Sequence, residues 1–216
     1  MPIENQEAWN ESYDKICKKY GFISVWINRR ILERLRIGER VGADEKIVDI
    51  GCGNGNILAL LKESGFRNLY GFDNREYPAP SPDIQMQVGD MTARFPYPDQ
   101  FADCMLSYNV MHHCVNHAQY ELFLSEVRRV LKPRGKFFLV EPERNFFRRT
   151  TQLVCSLPVI RSLGYAKYKY VVFQEEKREH ALFFELEIVQ FLKVRGFKIL
   201  DQKSYMESIL IYSIPT

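Results

Sequence analysis

The chain has 216 residues, 46% hydrophobic and 26% charged, with a formal net charge of +3. That suits one generous globular domain and is too weak a charge to imply nucleic acid by itself. No apolar run is long enough to span a bilayer, and the polar opening MPIENQEAWN does not read as a signal peptide. Cysteines 17, 52, 104, 114 and 155 form an odd set without a CxxC pair, so free thiols in a reducing cytoplasm are expected.

Residues 5–36 read as two helices broken near Gly21, with Trp9, Tyr13, Ile16 and Tyr20, then Ile27, Ile31, Leu32 and Leu35, at helical spacing. Gly38 and Gly42 mark a loop before a strand at 46–50 (KIVDI). A helix is expected at 54–64, stopped by Gly65. Strands follow at 67–73, 84–88 and 101–107, then a helix at 117–131 closed by Lys132-Pro133-Arg134-Gly135 and a strand at 136–141. Residues 143–180 are aromatic and basic with no clear strand. A helix at 181–195 and two strands, 197–204 and 207–214, end the pattern.

Strand and helix alternating through residue 141 predict an α/β fold, a doubly wound, mostly parallel seven-stranded sheet. The last two strands are too close for a crossover helix and pair only as an antiparallel hairpin. The expected organisation is a single domain, 1–216: an N-terminal helical cap (1–40), a cofactor-binding core (45–142), a lid insertion after strand 5 (143–180) and a helix with the terminal hairpin (181–216). Ligands of such sheets sit beyond the strands' carboxyl ends. Asp49–Gly55, Asp73, Asp90 and Ser107–His113 all follow predicted strands and should converge there.

Gly51, Gly53 and Gly55 sit where strand becomes helix, where glycine lets a ligand approach the backbone. A dinucleotide fingerprint would read G-x-G-x-x-G, but here the third glycine comes one residue early. Asp49 would repel a diphosphate and could hold an ammonium group, so the expected ligand carries positive charge. Asp73 is suited to a ribose diol. Asp90 can accept from an exocyclic amine or simply make a turn.

DIGCGNG, an acid ending strand two, GDM, FADCMLSYNVMHH and EVRRVLKPRGKFFLVEP, in that order, resemble the class I S-adenosylmethionine-dependent methyltransferases, closest to the branch acting on quinones and other metabolites. The resemblance covers about residues 45–141, and the terminal helix and hairpin fit it too. It implies S-adenosylmethionine as cofactor, S-adenosylhomocysteine as product and a small-molecule acceptor, which the basic, aromatic stretch 143–170 would make anionic or lipid-like. It further implies that Gly51, Cys52, Gly53, Asn54 and Gly55 lie along the methionine moiety, with Asp49 at its amino group. Asp73 and Asn74 would bind the ribose, Asp90 and Met91 the adenine. Ser107, Tyr108 and Asn109 would pass beneath the sulfonium, and Tyr13 of the cap would close over it.

HHCVNH (112–117) invites a zinc reading, but adjacent ligands do not converge easily and no second Cys/His pair has finger-like spacing, so no metal is expected. His112 or His113 is a candidate general base; packing beneath the cofactor is the plainer role. Residues 143–170 carry Arg144, Arg148, Arg149, Arg161, Lys167 and Lys169 against Glu143 alone, interleaved with apolar side chains. This reads as a basic lid on the sheet edge, as acceptor binding through Arg148 and Arg149, or as contact with a membrane surface. No named RNA module is recognisable. Three rivals remain: a dinucleotide oxidoreductase, a non-catalytic cofactor-binding regulatory or assembly subunit, and an RNA methyltransferase. Oligomeric state is not legible.

Overall fold

The run Ile47–Ile50 is apolar but for Asp49 and buried throughout, as a central strand covered on both faces requires. In a computed structural model, which describes residues 25–143, 145–160, 166, 169, 187–206 and 208–215, this run is β1 (Lys46–Ile50). It is followed by β2 (Asn68–Asp73), β3 (Ile84–Val88), β4 (Ala102–Tyr108), β5 (Leu131–Pro142), β6 (Phe197–Tyr205) and β7 (Ser208–Pro215). The sheet order is β3-β2-β1-β4-β5-β7-β6. β1 to β5 run parallel, while β7 is antiparallel to both β5 and β6. The winding reverses between β1 and β4, which opens a crevice at their carboxyl ends.

The described helices are α1 (25–35), the single turn α2 (Ile37–Arg40), α3 (Asn56–Glu63), α4 (His117–Val130), α5 (Phe146–Ser156) and α6 (Ile188–Val194). α4 and α6 cover one face, where Tyr120, Phe123, Phe191 and Leu192 pack with Phe72, Phe95 and Phe137. α1 and α3 cover the other, where Ile31, Leu35, Leu58 and Leu61 pack with Ile47, Cys104 and Phe138. Each fully buried Leu, Ile or Phe contributes roughly 1.5–3 kcal/mol of transfer free energy, so these two layers dominate stability.

The elements differ from the sequence expectation in four places. Gly38 lies inside α2, not in a loop. α3 begins at Asn56 because Gly55, at φ 76, caps it from the left-handed region. β5 begins at Leu131, which pairs with Ala102 before a register shift, so Lys132–Gly135 belongs to the strand. α5 occupies a stretch without an expected element. Asn145 caps it by accepting from the Arg148 N–H. The first predicted helix with Tyr13, and residues 181–186 of the last, lie outside the described residues.

Candidate functional site

Beyond Ile50 the chain turns through Gly51 (φ 63), Gly53 (φ 51) and Gly55 (φ 76) into α3. The three glycines are not equivalent. A Cβ on Gly51 would stand 2.6 Å from Val110 Cγ2, and one on Gly55 2.8 Å from Pro80 Cδ, so both are demanded by packing. A Cβ on Gly53 would meet nothing within 4 Å. Gly53 therefore presents bare backbone to open space, which is the cradle a ligand needs. Gly53→Ala should cost only about 1 kcal/mol of stability, the strain of a left-handed alanine. It should weaken cofactor binding at least about tenfold by putting a methyl in the cradle; thermal unfolding and calorimetric titration of one preparation read both effects.

The turn is pinned to β2. The Cys52 N–H donates to the Phe72 carbonyl at 3.0 Å. The Gly53 N–H donates to Asp73 Oδ2 at 2.9 Å, and the Arg75 N–H to Oδ1 at 3.1 Å. A carboxylate has about four acceptor positions, so Asp73 keeps capacity for a diol while it shapes the turn. Burial, with the charges of Asp49 and Asp73, pushes the Cys52 thiol up. Cys52 is thus a neutral filler rather than a nucleophile.

Asp49 is 1% exposed and sits between Gly71 of β2 and Leu106 of β4. Its Oδ1 has no hydrogen-bond partner, and neither has Oγ of Ser107, equally buried on the adjacent strand. Burial, then the charge of Asp73, pushes the Asp49 carboxyl up to about 8. Such orphaned polar atoms call for an explanation. A bound cation with N–H donors supplies one, because it would neutralise the acid and fill its acceptor positions. These acceptor oxygens fit the ammonium of an amino acid and do not fit a phosphate.

Past β4, Asn109 takes φ 56 and leads into a 3-10 turn, Met111–His113. This turn is built on Glu141 near the end of β5, a residue the sequence did not single out. Glu141 is wholly buried, and its Oε1 accepts from the N–H groups of Val110 (3.1 Å) and Met111 (2.7 Å). Oε2 lies 2.6 Å from Nδ1 of His112 and shares a proton with it. Burial pushes Glu141 up to about 8; burial and the charge of Arg148 push His112 down to about 3. The one sequence signal was positional: an acid following an apolar strand, as Asp73 follows β2.

The other expected residues are spread around this end of the sheet. Asp90 is exposed and spends Oδ1 on the N–H and hydroxyl of Thr92, so the turn role is present. The Gly89 N–H donates to the Asp73 carbonyl, which holds that turn beside β2. Met91 and Tyr108 are half-buried, Asn54, Asn74, Asn109 and His113 exposed. Arg148 and Arg149 are not brought together. Arg148 is 4% exposed, facing inward, and Arg149 is exposed, so the two candidate acceptor-binding residues do not share one face of α5. A groove lined by Asp99, Gln100, Arg128, Arg129, Lys132 and Arg134 lies at the opposite end of the sheet. There Arg129 is held by Glu126 and Asp99, and Lys132 by Asp103, so it is structural.

Residues 48–139 match the family model of a methyltransferase domain. A Mycolicibacterium smegmatis protein described as a probable S-adenosylmethionine-dependent methyltransferase is 30% identical over 56% of this chain and 47% of its own length. The chain thus spans about half of that relative. An Encephalitozoon cuniculi protein named as a methyltransferase is 25% identical over 85% of this chain and 82% of its own. Among solved structures, a Haloferax volcanii methyltransferase in complex with the Trm112 activator superposes with TM-score 0.64 at 17% identity, over 95% of this chain and 96% of that one. The Burkholderia thailandensis 1,6-didemethyltoxoflavin-N1-methyltransferase, solved with S-adenosylhomocysteine, gives 0.62 at 15% identity, over 100% and 92%. Residues 48–139 thus match a methyltransferase domain, and the chain shares the fold of these solved methyltransferases.

Proposed function

We propose that this protein binds S-adenosylmethionine across Gly53 and transfers its methyl group to a small-molecule acceptor. The observation that carries the reading is Asp49, a buried carboxyl with an unpartnered oxygen at the foot of an open glycine turn. In this reading Asp49 holds the ammonium group and Ser107 offers a further polar contact below it. Asp73, with Asn74, receives the ribose hydroxyls, while the turn at Asp90 and Met91 borders the adenine. When bound, the cofactor supplies a methyl group already activated on a sulfonium. The protein's work is then positioning, since holding an acceptor atom about 3–3.5 Å away can supply much of the rate.

His112 is a poor proton acceptor at neutral pH, being buried and shifted down to about 3. Its role is to lock the turn, and His113, exposed on that turn, is lowered to about 3 as well, by burial and then by His112, so neither imidazole reads as a general base at neutral pH. Among the described residues Cys52, Cys104 and Cys114 are free thiols and buried. That supports a reducing compartment, the cytoplasm.

A thermal-shift series with S-adenosylmethionine, S-adenosylhomocysteine, NAD and NADP tests the cofactor. A ligand at about 100 times its Kd stabilises by roughly 2.7 kcal/mol, or about 5–10 °C in a domain of this size. The first two compounds should shift the protein and the dinucleotides should not; a shift with dinucleotides alone would sink the proposal.

A further inference from the structure

Helix α5 is inside out. Its outward side carries Phe146 (84% exposed), Phe147, Leu153 (67% exposed) and Val154, continued past its end by Leu157 and Val159. Its inward side buries Arg148 and Cys155. A helix on a water-soluble domain normally places its apolar stripe against the core. Single exposed apolar residues need no account, but six on one short segment form a patch that marks an interaction surface. Nor is the segment loosely attached. The Asn145 side chain, which caps α5, also donates to the Met206 carbonyl at 2.7 Å. Because β5 runs directly into α5, the patch stands at the same end of the sheet as the glycine turn.

We infer that this outward face rests on the surface of an anionic lipid bilayer. Charge selects the occupant. Residues 145–160 contain no acid, and Arg149 is exposed beside the apolar stripe. Over 143–170 the sequence sets six basic residues against one acid, an excess larger than the whole chain's +3. The rest of the chain is therefore net negative, and the basic charge is concentrated in the stretch of sequence that carries the patch. A second copy of this chain would bring two basic faces together and be repelled. A bilayer with anionic headgroups satisfies both halves: apolar side chains enter the acyl boundary and cations meet phosphates. No described helix is long and apolar enough to cross a membrane, so the contact lies on the surface. If the methyl-transfer reading holds, the acceptor end of the sheet faces the bilayer, and an acceptor dissolved in lipid reaches it without crossing water.

The test is sedimentation of the full chain with phosphatidylcholine vesicles, with and without added phosphatidylglycerol. Wild type should partition onto the anionic vesicles, less so at high salt and weakly onto neutral ones. The double variant Phe146→Ser/Leu153→Ser should lose about tenfold or more of that binding, and Arg149→Glu a smaller share. Both should keep the thermal shift with S-adenosylhomocysteine, which separates docking from misfolding. Absence of wild-type binding, or equal binding by the double variant, overturns the inference. So does a wild-type dimer that the double variant converts to monomer, which would assign the face to a second copy. Vesicle binding without any S-adenosylhomocysteine shift would leave the docking standing and sink the cofactor reading instead.

Discussion

Asp49→Asn should make the ligand-free protein more stable and its cofactor binding far weaker. The two effects have one cause. Asp49 is buried with an unpartnered oxygen, and its carboxyl is shifted from an ordinary 3.8 up to about 8. A folded-state pKa raised in this way means that the folded protein holds the proton more tightly than the unfolded chain. Stability is then lost as pH rises from about 4 through about 8. An uncompensated buried charge costs roughly 3–5 kcal/mol, and asparagine recovers part of it above pH 8 and almost none near pH 4. Binding goes the other way. Removing one partner of a buried charge pair costs about 2–5 kcal/mol, roughly 30-fold to a few thousandfold in Kd. Wild type should also release close to one proton on binding at pH 7, because the ammonium drives Asp49 to ionise. Calorimetry in buffers of different ionisation enthalpy measures that proton, and the variant should release none. Equal affinities for the two proteins would remove Asp49 from the site.

Glu141→Ala should destabilise the protein by roughly 3–5 kcal/mol. The loss leaves the Val110 and Met111 N–H groups without their acceptor and takes the Glu141 contact from His112 Nδ1, in a place water does not reach. Each orphaned buried donor costs about 1–3 kcal/mol. In a chain of this size the melting temperature should fall by about 6–20 °C. Glu141→Gln keeps an oxygen for the two backbone donors and an amide that can face Nδ1, so it should lose less than half as much. Urea unfolding of the three proteins ranks them; if alanine and glutamine were equally damaging, the charge rather than the hydrogen-bond frame would be what matters. Glu141, raised to about 8, takes stability away as pH climbs from about 4.5. His112, lowered to about 3, takes it away as pH drops below 6.5. The ligand-free protein should therefore be most stable in the weakly acidic range between these limits.

Much of the architecture could be read from patterns that depend only on neighbours in the chain. KIVDI, NLYGFD and ADCMLSY are short apolar runs ended by polar loops, and the helices between them carry regular stripes. The acids that close strands announced the functional end of the sheet for the same reason. What was not legible depends on who sits opposite whom. Gly51, Gly53 and Gly55 look alike in sequence, and only Val110 and Pro80, brought in from elsewhere, leave Gly53 as the open one. Glu141 reads as an ordinary acid until the turn after β4 folds back onto it. Helix α5 escaped because its periodicity is reversed: the residues a core would want point outward, and a buried arginine takes their place.

The position of β7 bears on how the molecule is made. It follows β6 in the chain, yet it is inserted between β6 and β5, so that Phe137 pairs with Ser213, 76 positions further along the chain. Pairings so distant in sequence form slowly, because chain closure must precede any reward. β1 to β4 can assemble from near neighbours while synthesis proceeds. Until residues 208–215 emerge, β5 shows a bare edge, and β6 has no strand beside it. An exposed edge is a template for pairing with other chains. The nascent protein is thus most vulnerable to aggregation in the interval before β7 slides into the middle of the sheet.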